Sequence, residues 1–241
     1  MKELIVGLLT GILGALFGLG GGFILVPILN MIGYDIKVSI GTSSASIVFT
    51  ALSASIAYHK HRLIRYREGL ILSAFSVAGA YIGAWITDMV STSLLKFIFG
   101  VIMTLAAFRM MRKREALKTG KLSLFLIISG GFGAGILSGL LGIGGGIINV
   151  PLFSHIGMTI HEAVATSSFA IIFTASSGAL KHFFLGNVDL KALLLLVPGL
   201  IIGAQIGAFV AKRMKARRLR WLFSLVVLSL ALRMIIKSGY F

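Results

Sequence analysis

Gly18-Leu19-Gly20-Gly21-Gly22-Phe23-Ile24-Leu25-Val26-Pro27 is answered 124 residues later by Gly142-Ile143-Gly144-Gly145-Gly146-Ile147-Ile148-Asn149-Val150-Pro151. The correspondence runs on without a gap through Gly33 and Gly157 to Thr42-Ser43-Ser44 and Thr166-Ser167-Ser168, and half of the positions in 18–51 recur identically in 142–175. Fainter matches pair Gly79-Ala80 and Gly83-Ala84 with Gly203-Ala204 and Gly207-Ala208, then Arg109-Met110 with Arg233-Met234. Self-similarity at one fixed spacing points to a duplicated unit. A hydrophobic unit whose first segment is broken by glycines is the arrangement expected of a membrane transporter.

Composition agrees. Of the 241 residues 57% are hydrophobic and only 12% charged, about half the charged share of a soluble domain. The charges gather between apolar stretches long enough to span a bilayer, for which a helix needs roughly 20 residues. A net charge of +16 would suit nucleic acid, but the basic residues form short clusters between apolar segments, with no aromatic interleaving. Phospholipid headgroups explain them better, and no nucleic-acid partner is expected. The absence of cysteine removes disulfides, Cys-ligated zinc, iron–sulfur clusters and thiol catalysis. Met1-Lys2 and the apolar run after it resemble a signal peptide. That run aligns with 131–141, so it is expected to belong to the repeated unit and to be retained.

Each half reads as four apolar segments: Leu4–Gly33, Val38–Tyr58, Leu70–Ile86 and Leu94–Met110, then Leu124–Gly157, Ala163–Leu185, Ala192–Ala211 and Trp221–Ile236. Three basic clusters set the orientation: His59 through Arg67, Arg109 through Lys121, and Lys212 through Arg220. The positive-inside rule asks that all three face the cytoplasm. Eight full crossings would put the third outside. A re-entrant first segment in each half, entering and leaving on one side, puts all three inside. Its arms, Leu4–Phe17 and Phe23–Ile32, rise about 21 and 15 Å at 1.5 Å per residue, short of a hydrocarbon core of about 30 Å. The expectation is therefore an all-α polytopic membrane protein of two homologous, inverted repeats. Each repeat is a Gly-rich re-entrant segment plus three transmembrane helices, and both chain ends lie outside. Repeat 1 covers 1–115, a cytoplasmic linker 116–123 and repeat 2 124–241. Parallel repeats with eight crossings are the rival, since the total of Lys and Arg barely separates the two.

The glycine breaks are the leading site candidates. A helix that opens near Phe23 or Ile147 presents unpaired N–H groups and the positive end of its dipole. Two such openings near the midplane suit an anion, and glycine lets backbone approach it closely. Gly20, Gly21, Gly22, Gly144, Gly145 and Gly146 are expected to line the site, with Pro27 and Pro151 shaping the second arm. Thr42, Ser43, Thr166 and Ser167 would add uncharged hydroxyl donors that can bind an oxyanion and still release it. Asn149 and Gln205 are secondary candidates, polar where the first half has Leu25 and Tyr81. Helix packing is the competing account of any one glycine or hydroxyl. It is the preferred one for Gly79, Gly83, Gly203 and Gly207, and for Ser46, Ser53, Ser55, Ser176 and Ser177.

The seven acids, Glu3, Asp35, Glu68, Asp88, Glu115, Glu162 and Asp189, all fall at segment ends, which gives no support to a carboxylate proton relay or cation site. Lys181 and His182 form the deepest charged pair; they either draw anions inward or, the preferred reading, snorkel to the interface. His59, His61, His155 and His161 are expected near surfaces. No metal-ligand spacing, phosphate loop or nucleophile–base arrangement is present, so neither an enzyme nor a cofactor is expected.

The duplicated Gly-x-Gly-Gly-Gly-x-x-x-x-Pro, with Gly41-Thr42-Ser43-Ser44 and Ala165-Thr166-Ser167-Ser168 downstream, resembles the sulfite exporter TauE/SafE family over essentially the whole chain. The resemblance implies an inner-membrane permease for sulfur-containing anions such as sulfite and organosulfonates, and a fold usually described with seven or eight crossings. The function expected is movement of a small anion by alternating access around the two breaks. An anion channel, or a carrier of a cation or neutral metabolite, is the alternative. The partners expected are the anion and membrane lipids, with a homodimer left open.

Overall fold

The computed structural model describes residues 2–111, 124–213 and 216–237. The expected linker 116–123 and the Arg112–Lys121 part of the second basic cluster lie outside the described residues. So do positions 214–215 of the third. Ten helices and no strand are found among the described residues: α1 (Lys2–Phe17), α2 (Gly22–Met31), α3 (Ile36–His59), α4 (Tyr66–Met89), α5 (Thr92–Met111), α6 (Leu124–Leu141), α7 (Gly146–His155), α8 (Ile160–Phe184), α9 (Leu190–Arg213) and α10 (Ala216–Ile236). Long apolar stretches make α3, α4, α8 and the Leu190–Ala211 part of α9 long and apolar enough to cross a membrane. Their outer faces stay apolar, with Phe75, Trp85, Phe184, Leu194 and Phe209 exposed, as a protein solvated by lipid tails requires.

The glycine runs stop helices where the sequence indicates. Gly18, Gly20 and Gly21 have φ of 65°, 77° and 91°, and Gly142, Gly144 and Gly145 have 65°, 79° and 75°, a left-handed region that residues with a Cβ rarely enter. The chain then doubles back. Gly21 lies against the Thr10 carbonyl of α1, and Gly145 against the Ala134 carbonyl of α6. At 16 and 18 residues, α1 and α6 rise about 24 and 27 Å, while α2 and α7 rise about 15 Å, with Pro27 and Pro151 inside them. Each pair is a hairpin whose tip is set by the glycines.

Small residues fix how the hairpins seat. A Cβ at Gly79 or Gly83 of α4 would strike the backbone of Phe132 or Ile136 of α6, and one at Gly203 or Gly207 of α9 would strike Leu8 or Ile12 of α1. The packing role expected for these four glycines is therefore observed. Because the residue numbers climb together along both contacts, α6 runs parallel to α4 and α1 parallel to α9. Ser73 and Ser76 of α4 meet Ala170 and Thr174 of α8, so those helices are parallel too. Thr42 meets Asp189 and Ser53 meets Ile201, so α3 runs with α9. In contrast α3 and α8 are antiparallel: Gly41 abuts Asn187, and Arg65 bonds Thr166. Thus α1, α3 and α9 share one direction, and α4, α6 and α8 the other.

Candidate functional site

The two glycine breaks, far apart in sequence, touch in the interior. A Cβ at Gly22 would collide with the Gly142 carbonyl oxygen, and one at Gly146 with the Gly18 carbonyl oxygen. Gly18 to Gly22 and Gly142 to Gly146 are all buried. Between the tips stand Ile47 of α3 and Ile171 of α8, which would contact a Cβ at either Gly20 or Gly144 and form a small apolar cluster with Ala51 and Ala175. No side chain caps α2 or α7 at Gly21 or Gly145. An uncapped helix leaves its first N–H groups without intrahelical partners.

The Thr-Ser-Ser runs hold the breaks together. Ser43 Oγ donates to the Gly142 carbonyl at 2.9 Å, and Ser167 Oγ donates to the Gly18 carbonyl at 2.7 Å. One residue earlier, Thr42 Oγ1 accepts from Asp189 N at 2.9 Å, and Thr166 Oγ1 accepts from Arg65 N at 3.0 Å. Every bond in the first set has a partner 124 residues away at both ends. All four side chains are fully buried, and such bonds to backbone contribute about 1 kcal/mol each. Here they clamp protein to protein.

The structure thus brings ten of the expected site residues to one place: Gly20, Gly21, Gly22, Thr42, Ser43, Gly144, Gly145, Gly146, Thr166 and Ser167. Asn149 lies one turn into α7, its N–H bonded to the Gly145 carbonyl at 3.1 Å. Its side chain is fully buried, yet neither Oδ1 nor Nδ2 has a partner among the described residues. A buried, unpaired amide costs about 1–3 kcal/mol, so its retention calls for a reason. The Ser44 and Ser46 hydroxyls on α3 are also buried and unpartnered among the described residues. Gln205 is placed elsewhere: it is exposed on α9, and its amide donates to the Ser53 carbonyl at 2.8 Å and to Ser53 Oγ at 3.0 Å. Ser53 in turn donates to the Ile201 carbonyl and Ser177 to the Val77 carbonyl, both tying helices together.

One expectation is corrected. Lys181 and His182 do not both snorkel. Lys181 stands over the Tyr81 ring, 5.3 Å from its centroid, whereas His182 is fully buried, with Nε2 2.8 Å from the Gly139 carbonyl of α6. The ring turns inward because α8 packs that face against α6. Sequence reasoning also passed over Tyr58, whose hydroxyl donates to the Ala15 carbonyl at 2.8 Å. Its signal was available: positions 58 and 182 are aligned by the same spacing as the glycines.

Comparison with known proteins completes this picture. The model of the family described as sulfite exporter TauE/SafE matches residues 4–234. The chain is 31% identical to the probable membrane transporter protein YunE of Bacillus subtilis, over 96% of this chain and 95% of that protein. It is 27% identical to a probable membrane transporter protein of Methanocaldococcus jannaschii, covering 93% and 91%, and 28% identical to the probable membrane transporter protein YdhB of Bacillus subtilis, covering 86% and 89%. No solved structure matches. With buried glycine breaks, lipid-suited apolar faces and this match over nearly its full length, the chain belongs to the sulfite exporter TauE/SafE family and is a multi-pass membrane transporter rather than an enzyme.

Proposed function

We propose that the protein is an inner-membrane permease for a small anion, sulfite or an organosulfonate, working by alternating access around the two glycine breaks. The observation that carries this reading is the contact between them: α2 and α7 both start, uncapped, where the breaks meet. Helix N-termini and bare backbone N–H groups favour negative charge. Parting the loops would release the Ser43 and Ser167 hydroxyls from the glycine carbonyls and open a cleft lined by Gly20–Gly22, Gly144–Gly146, Thr42 and Thr166. The Asn149 amide is already uncommitted. Gln205 joins this lining only if its bonds to Ser53 break.

The same reading makes the halves 1–115 and 124–241 inverted repeats, joined at 116–123, each a re-entrant hairpin followed by three crossings. Two things support it: the 124-residue spacing shared by the paired bonds, and the opposite directions of α1 and α6. Because only Val90 and Ser91 separate α4 from α5, α5 returns toward the side where α3 and α9 end. That side then carries the first basic cluster and the described beginnings of the other two, and the positive-inside rule assigns it to the cytoplasm.

Proteoliposome uptake of sulfite, with sulfate, acetate and sodium compared in parallel, tests the function. Saturable, temperature-steep sulfite uptake is expected. Uptake of sodium or acetate with none of sulfite overturns the anion assignment, and non-saturating flux favours a channel. A carboxyl-terminal tag accessible only from the cytoplasm would contradict the inverted topology.

A further inference from the structure

Tyr58 and His182 occupy aligned positions and bond aligned carbonyls, Ala15 and Gly139, each three residues before its glycine break. Both bonds are 2.8 Å long and buried. They pin the end of each hairpin's first arm to a neighbouring helix, Tyr58 acting from α3 and His182 from α8. Their chemistry differs. A phenol keeps its proton across the physiological range, whereas an imidazole exchanges one there. A carbonyl can only accept, so Nε2 of His182 carries the hydrogen in this bond and Nδ1 is left as a bare lone pair. That nitrogen is buried and has no partner among the described residues.

The charged groups around it are few. Asp88 is the acid at the end of α4, which packs in parallel beside α8. Lys37 at the start of α3 holds Asp88 through its carbonyl at 2.6 Å and its carboxylate at 3.8 Å. Lys181, the chain neighbour, is turned to Tyr81. On the other elements packed against α8, the described part of α6 has no titratable residue, α7 has only His155 at its far end, and α1 has only Lys2 and Glu3 in its first turn. His161 and Glu162 lie at the opposite end of α8.

We propose that His182 is the proton-binding latch of the transport cycle. Neutral, it holds α6 through Gly139. A proton taken up at Nδ1 creates an imidazolium whose second N–H has no acceptor inside, and that cost is relieved when the α6–α8 contact opens. The proton comes from solvent on the side where Asp88 lies. The second hairpin then moves under proton control while Tyr58 keeps the first hairpin's hold independent of pH, and passage of the anion is accompanied by a proton.

This rests on the anion-permease reading, so two measurements separate their failures. The first is proteoliposome uptake of methanesulfonate, whose conjugate acid is too strong to carry a proton itself. Wild-type flux should rise several-fold as the medium is acidified from about pH 7 to pH 5, the range in which buried histidine switches act. His182→Gln and His182→Tyr should transport with no such rise. The second needs no substrate. The chain has no cysteine, so Ser138→Cys, buried beside Gly139, supplies a single thiol. Its labelling by a permeant maleimide, as the ratio between the two pH values, should be several-fold larger with His182 than in the His182→Gln and His182→Tyr backgrounds. Equal ratios in these backgrounds overturn the latch whatever is transported. Absence of wild-type methanesulfonate uptake counts instead against the substrate class, and the labelling then decides the latch alone. If one variant is not monodisperse in detergent, the other decides.

Discussion

The first hairpin and the second share a backbone and differ in what their side chains leave exposed to chemistry. Each tip carries three left-handed glycines, each carbonyl at Gly18 or Gly142 receives a serine from the far helix, and each first arm is seated on small residues. In the first hairpin, Leu25 packs into a wholly apolar cluster with Leu29, Leu196 and Leu200, and a phenol anchors Ala15. In the second, the aligned positions hold Asn149, with both amide atoms unpaired among the described residues, and His182, with one ring nitrogen unpaired. The glycines and serines therefore account for the scaffold, while at these two aligned pairs only the second member keeps an unpaired polar atom.

The comparison breaks most severely at the tips. Gly22→Ala and Gly146→Ala each drive a Cβ into a backbone carbonyl of the opposite loop, so both should abolish transport. They should cost the upper end of the roughly 1–3 kcal/mol that overpacking brings, or more, read as lost monodispersity and Tm in detergent. A clear difference between the two variants would show that the tips are not equivalent. Next in size is Asn149→Leu, which makes the second hairpin like the first. Removing unpaired buried polar atoms should raise stability by about 1–3 kcal/mol, yet anion flux should fall about tenfold or more, the scale of one hydrogen bond to a charged group. A gain in stability with unchanged flux would remove Asn149 from the site. Thr42→Val together with Thr166→Val deletes the acceptors of the Asp189 and Arg65 N–H groups and should cost about 1 kcal/mol at each position. Sulfite flux left unchanged by this pair would exclude the threonine hydroxyls from binding. Tyr58→Phe should cost about 1 kcal/mol and leave the pH profile of transport as it is. The smallest effect is expected from Glu162→Gln. Its carboxylate pairs with Arg65 at 3.2 Å, but the Arg65 side chain is 44% exposed. Such a pair contributes roughly 0–1 kcal/mol.

Much of this was legible in the chain itself. Consecutive glycines cannot continue a helix cheaply, so the breaks at Gly18–Gly22 and Gly142–Gly146 announce themselves, as do the apolar segments and the small-residue seats at Gly79, Gly83, Gly203 and Gly207. Thr42, Ser43, Thr166 and Ser167 could be singled out because they recur. Their partners could not, since hydroxyls donate or accept with equal ease and the sequence does not say which carbonyl or N–H will face them. Gln205 shows the limit from the other side: polar in a span, it is engaged by Ser53 on an exposed face. His182 shows it most plainly, because a histidine near a helix end reads as interfacial until the packing of α8 against α6 turns its ring inward.

What the sequence determined by itself was a membrane-embedded, all-helical chain with two glycine-broken segments, because local backbone freedom and the cost of unsatisfied polar groups in lipid leave few other options. Only the tertiary structure decided that the two breaks touch, that the serines clamp them shut, and that Asn149 and His182 keep unpaired atoms in the interior. Those outcomes depend on which helix faces which across more than a hundred residues, and that is settled by packing rather than by any local preference.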